Sequence, residues 1–75
     1  MQEKNEGKEI LNKFSRNLRK FRNGNKYTQL YVSINTGIDI SLYQKYESNN
    51  CPNIKLLNLV KLSKFYKKPI DDFLK

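Results

Sequence analysis

A chain of 75 residues, 37% of them hydrophobic, can bury one modest core, and its single cysteine and absent histidine exclude a disulfide scaffold, a zinc finger and a Cys-His nucleophile. No apolar run approaches the ~18 residues a membrane span needs, and the opening MQEKNEGKE carries no apolar stretch of the signal-peptide kind, so a soluble cytoplasmic protein is expected. Lys and Arg number 15 against 7 Asp and Glu, a formal +8, and with Glu3, Glu6 and Glu9 at the start, residues 10–75 hold 13 basic and 4 acidic groups; a polyanion is the natural partner, nucleic acid first.

The first seven residues, MQEKNEG, are polar and end in glycine, which reads as a flexible N-terminal arm before one domain over 8–75. Ile10, Leu11, Phe14, Leu18 and Phe21 then recur at helical spacing until NGN at 23–25 stops them, predicting a first helix over about 8–22. Thr28 is a good N-cap for a second helix over about 29–35, which ends before Gly37, a residue suited to a left-handed turn. Asp39 is again a cap, Tyr43 and Tyr46 share an inward face, and SNN closes a third helix over about 40–47.

Beyond the loop at Cys51 and Pro52, whose polar setting makes the thiol incidental, Asn53 is placed to cap a fourth helix. Its apolar arc, from Ile54 through Leu56, Leu57, Leu59, Val60 and Leu62 to Phe65 and Tyr66, is wide enough to touch more than one neighbour. Pro69 fits the first turn of a last helix, in which Ile70, Phe73 and Leu74 face inward and Asp71 and Asp72 complement the positive end. No convincing strand, repeat or linker is present. The fold class expected is all-α, a compact five-helix bundle.

Between the second and third helices, a capped helix starting at Gln29, a glycine at 37 and a second cap at 39 make a short helix-turn-helix. Here the chain resembles the Cro/C1-type (XRE-like) helix-turn-helix family: Thr28-Gln29, Val32-Ser33, Gly37-Ile38, Tyr43, Tyr46-Glu47 and the later KLSKFYKKPIDDFL carry the match, over residues 10–74. The resemblance implies a lambda-repressor-like DNA-binding domain. Physical roles accompany it: Gly37 permits positive φ, and small Ser33 lets two helices approach if its hydroxyl reaches a backbone carbonyl. By resemblance, Arg22 and Glu47 form a partly buried ion pair tying the first helix to the end of the third; two solvated charges are the alternative. The loop from Ser48 to Asn53 lacks the family's usual glycine, so Asn49 or Asn50 is expected to take the left-handed conformation in its place.

The candidate DNA-contacting residues are Arg19, Lys26, Thr28, Gln29, Asp39, Ile40, Ser41, Gln44, Lys45 and Asn49, with Lys20 and Lys55 as further basic candidates. The resemblance implies that Gln29 contacts a phosphate and buttresses the third helix, that backbone N–H groups at the two helix starts bind phosphate oxygens, and that Ile40, Ser41 and Lys45 read bases. Gln44 suits adenine, Lys45 guanine or a phosphate, and Ser41 a base or a phosphate. Isoleucine departs from the family's usual polar residue. It can pack on a thymine methyl, which fits a chain with no Ala, ten Asn and 12 Lys to 3 Arg, a usage pointing to an AT-rich genome. Inward packing is the other account of Ile40, and more so of Leu42.

With no histidine, phosphate-cradling glycine loop or paired carboxylates, neither enzyme chemistry nor a cofactor or metal is expected. The expected function is a sequence-specific double-stranded DNA-binding transcriptional regulator, a repressor acting as a homodimer, with Phe65, Phe73 and Leu74 as candidate interface residues and the core as the alternative place for all three. Phage-type repressors, restriction-modification controllers and antitoxin-like regulators of the family all fit this size. The alternative is a helix-turn-helix scaffold that binds protein through Asp39, Ile40 and Leu42. An anionic membrane is disfavoured because the basic residues do not form one amphipathic face.

Overall fold

A computed structural model describes residues 2–75, and the side chains from Glu6 onward. The helices α1 (Gln2–Gly24), α2 (Gln29–Thr36), α3 (Ile40–Tyr46), α4 (Leu56–Tyr66) and α5 (Ile70–Phe73) follow in order, and no strand occurs among the described residues. The all-α five-helix bundle is therefore the fold. None of these helices is long and apolar enough to cross a membrane.

Most of the apolar stripe of α1 does what its spacing predicts: Phe14 and Leu18 are buried, and Leu11 and Phe21 pack beside them, whereas Ile10, expected on the same stripe, is exposed. The helix nevertheless runs back to Gln2, so the segment expected as an arm is helical from Gln2 onward, while Met1 lies outside the described residues. Extending an already nucleated helix costs little per residue, and acidic Glu6 near its start complements the dipole. At the other end the Asn25 side chain donates to the Phe21 carbonyl at 2.9 Å. Lys26, and not a glycine or asparagine, then takes the left-handed conformation, at φ 59°.

α2 and α3 form the expected capped pair. The Thr28 hydroxyl oxygen accepts from the Tyr31 N–H at 3.0 Å, and the Asp39 carboxylate accepts from the N–H groups of Ser41 and Leu42 at 3.0 and 3.4 Å. Between them Gly37 sits at φ 78° and donates its N–H to the Ser33 carbonyl. Buried Ser33 finds the carbonyl partner it needs, its hydroxyl donating to Ile38 O at 2.5 Å. A polar atom at this close helix contact is thereby satisfied.

The fourth helix departs from expectation at its start. α4 begins at Leu56 with Lys55 as N-cap and no side-chain cap bond, so Asn53 does not cap it. Pro52 disfavours helical backbone at Cys51, and the irregular segment 51–55 instead lays Cys51 and Ile54 against the core. Cys51 is thus a core side chain, not an incidental loop thiol, and burial pushes its pKa up to about 11. The left-handed residue in this half of the chain is Lys67, at the end of α4; neither Asn49 nor Asn50 has positive φ. Pro69 precedes α5 as its N-cap, one position earlier than expected.

The core is rich in rings. Phe14 meets Tyr46 edge-on at 5.9 Å, Phe21 meets Phe73 edge-on at 5.1 Å, and Tyr66 lies within 6.5 Å of Phe73. Such pairs add roughly 0.5–1.5 kcal/mol each beyond their buried area, which matters in a domain this small. Phe73 is fully buried and Phe65 packs against the core beside Tyr27 and Tyr66. Phe73 is thereby core and not interface, Phe65 is half-buried, and Leu74 lies at the edge.

A Cβ placed on Gly37 would meet nothing within 4 Å, so substitution there tests backbone conformation alone. Gly37→Ala is expected to lower stability by about 1–2 kcal/mol, and Gly37→Asn by less, in urea denaturation.

Candidate nucleic-acid interface

The site is organised around a carboxylate. Glu47, the residue after α3, is only 5% exposed, a placement a charged group tolerates only when fully partnered. Arg22 of α1 grips it with two nitrogens, Nε to Oε2 at 2.6 Å and Nη2 to Oε1 at 3.0 Å. The Tyr43 hydroxyl donates to Oε2 at 2.6 Å, and Gln29 Nε2 of α2 donates to Oε1 at 3.1 Å. Arg22 also donates to the Tyr27 carbonyl at 3.0 Å, which fixes the turn leading into α2. No buried side-chain nitrogen or oxygen among the described residues lacks a partner.

These donors decide the carboxyl's acidity. Burial alone would raise it, but the hydrogen bonds from Arg22, Tyr43 and Gln29 together outweigh burial and hold Glu47 below the ordinary carboxylate value. The same hydrogen bond to Glu47 raises the Arg22 guanidinium against a smaller opposing effect of burial. Burial first, then its bond to Glu47, pushes the Tyr43 phenol far above the tyrosine range. The ion pair expected between Arg22 and Glu47 is present, and Gln29 performs the expected buttressing.

A second set of bonds pins the end of α3. Arg19 Nη1 donates to the Glu47 carbonyl at 2.5 Å and to the Ser15 hydroxyl at 2.9 Å, while Ser15 donates to the Ser48 carbonyl at 3.0 Å. Arg19, expected as a phosphate contact, therefore commits one guanidinium nitrogen to the Glu47 carbonyl, which the end of α3 leaves unpaired. Ser15 was not recognisable as a candidate by charge. Its signal was a polar residue on the apolar side of α1, between Phe14 and Leu18.

The outward side of α3 carries Ser41, Gln44 and Lys45, all exposed, opposite buried Tyr43 and Tyr46. Gln44 Nε2 lies 3.5 Å from Gln29 Oε1, so the outward face continues onto the start of α2, where Lys26 and Thr28 are exposed. Ile40 is half-buried at the edge of this face. Leu42 packs against the core and belongs to the fold. Asp39 is exposed but serves as a cap, and the caps also occupy the N–H groups of Tyr31, Ser41 and Leu42, which removes these three from phosphate binding. Asn49 is exposed just past α3, on the α1 side. The large apolar side chains that do reach solvent lie elsewhere: Ile10 on α1, Leu30, Tyr31 and Ile34 on α2, Leu74 past α5, and Leu56 and Leu57 on α4, which therefore leave the packed arc expected of that helix.

Compared with family models, curated proteins and solved structures, the chain shows no significant match. Its functional reading stands on the residues and their geometry.

Glu47→Ala strands a half-buried guanidinium and two further donors, on Tyr43 and Gln29, and is expected to cost about 3–5 kcal/mol in thermal or urea denaturation. Because Glu47 is more acidic folded than unfolded, its contribution is complete above the ordinary carboxylate pKa and is lost as pH falls through the lowered folded value. The gap in melting temperature between the wild type and Glu47→Gln should therefore be constant near neutrality and shrink on acidification below about pH 4.

Proposed function

We propose that this chain is a Cro/C1-type helix-turn-helix domain that binds double-stranded DNA sequence-specifically and acts as a transcriptional regulator, a repressor at an operator. The observation carrying this reading is the outward face of α3. Ser41, Gln44 and Lys45 project from a short helix whose start is fixed by the Asp39 cap and whose end is fixed by Glu47, Arg22 and Arg19. A helix held at both ends presents its side chains at a defined angle, which is what base reading in the major groove requires.

In this arrangement Ser41 and Lys45 bond base edges, Gln44 reads adenine, and Ile40 packs at the rim against a thymine methyl. Gln29 positions α3 through Glu47 and Gln44, and Lys26, Thr28 and Asn49 contact the backbone. One reading helix offers little contact area, so the domain acts as a homodimer. Leu56 and Leu57, each 72% exposed, and Ile34, 70% exposed, supply apolar surface for the contact between copies in place of Phe65 and Phe73. The same exposed side chains favour the second reading, a scaffold whose partner is protein.

Selection from a randomised duplex library followed by titration at several salt concentrations tests the proposal. The selected site should outbind random duplex by roughly 10³ or more, with a log–log salt slope of about −0.9 per phosphate neutralised. Ser41→Ala and Lys45→Ala should each lose roughly 1–3 kcal/mol of discrimination at one base position, whereas Gln29→Ala weakens binding to all sequences alike. Failure to bind any library duplex at low salt overturns the regulator and leaves the protein-binding scaffold.

A further inference from the structure

Along the side of α1 that meets the end of α3 runs an open groove of about 330 Å³, lined by Lys8, Asn12, Arg16 and Arg19 on one wall and by Ser48 and Asn49 on the other. Helical spacing explains the first wall: positions 8, 12, 16 and 19 recur every three or four residues and so share one stripe of α1. The second wall is held against it by the bonds from Ser15 and Arg19 to the carbonyls of Ser48 and Glu47. A neighbouring hollow shares Lys8, Asn12 and Asn49 and continues past Asn50 and Asn53, so the two make one trough. Among the described residues, no acidic side chain lines either part.

We infer that this trough cradles the phosphate backbone of DNA flanking the segment that α3 reads, an inference that rests on α3 being a DNA-reading helix. Three cations and several side-chain amides, with no carboxylate among the described lining residues, suit phosphate oxygens, which accept from any donor and demand no particular base. An acidic protein segment would usually add an apolar anchor to its contact, and among the described residues no apolar side chain lines the groove between α1 and Ser48–Asn49, Leu11 and Cys51 lining only the neighbouring hollow. Position gives the partner. The trough opens at Ser48 and Asn49, the residues directly after α3 and Glu47, and a strand lying beside a major groove filled by α3 passes along that edge. The role of the N-terminal half of α1, which the reading helix alone leaves without a purpose, is to lengthen this wall: Lys8 and Arg16 stand about 12 Å apart along the helix axis and neutralise successive parts of the strand.

The test compares two paired variants of the full chain on the duplex selected for the wild type and on random duplex. Lys8→Gln with Arg16→Gln removes two trough cations, and Lys13→Gln with Lys64→Gln removes two exposed charges that line no part of it. All four positions are exposed, so melting temperatures should match the wild type. The trough variant is expected to lower the magnitude of the salt slope by about 2, one per cation, and to weaken selected and random duplexes by the same factor, while the control pair leaves the slope near that of the wild type. Equal slopes for the two variants, with wild-type binding intact and specific, overturn the trough and leave the reading of α3 standing. A wild type that binds no duplex overturns both.

Discussion

Glu47 is the constraint on which the rest of the domain depends. A charged carboxylate left in a small core would unfold it, so its burial obliges Arg22, Tyr43 and Gln29 to stay where they are. Those three residues come from α1, α3 and α2. A single ionised group thereby fixes the relative placement of the three helices that build the candidate interface, in a chain whose apolar core is too modest to fix it by packing alone.

The consequence is a rigid support under a polar surface. α3 has only seven residues, too few to be helical unaided. It is helical here because Asp39 satisfies its first N–H groups, Tyr43 and Tyr46 are buried beneath it, and α1 reaches across through Ser15 and Arg19 to take carbonyls beyond its end. The residues that hold α3 and those it displays are therefore different sets that meet at Gln29 and Gln44, where an amide pair joins the buried carboxylate to the outward face.

Local signals were legible wherever one residue type serves one backbone need. Thr28 and Asp39 cap, Gly37 turns with positive φ, and the stripe of Phe14 and Leu18 faces inward, each as the sequence implied. Misreadings fell where a distant contact outweighed local preference. Asn53 is a better cap than Lys55, yet packing of Cys51 and Ile54 on the core delays α4 until Leu56. Lys26 and Lys67 take left-handed backbone that Gly or Asn would adopt more easily, because the chain must reverse there to bring α2 and α5 back onto the bundle. Phe65 and Phe73 look like interface residues by composition and are part of the core by geometry.

By itself, the sequence determined an all-α bundle, the caps at Thr28 and Asp39 with the turn at Gly37 between them, and a surplus of positive charge, because these depend on residue type and spacing within a few positions along the chain. Resemblance pointed to Arg22 as the partner of Glu47, but only tertiary structure decided what the other charges hold. Arg19 and Arg22 are three residues apart on one helix, indistinguishable in type. The burial of Glu47 holds Arg22 as its ion-pair partner, and the end of α3 gives Arg19 one backbone carbonyl, that of Glu47, to bind. Lys8 and Arg16 acquire a common wall only because Ser48 and Asn49 are brought against α1 from more than thirty residues away. The physical reason is range: a cap or a turn acts over one helical turn, whereas pairing a charge or shaping a groove depends on which distant segment folding sets beside it.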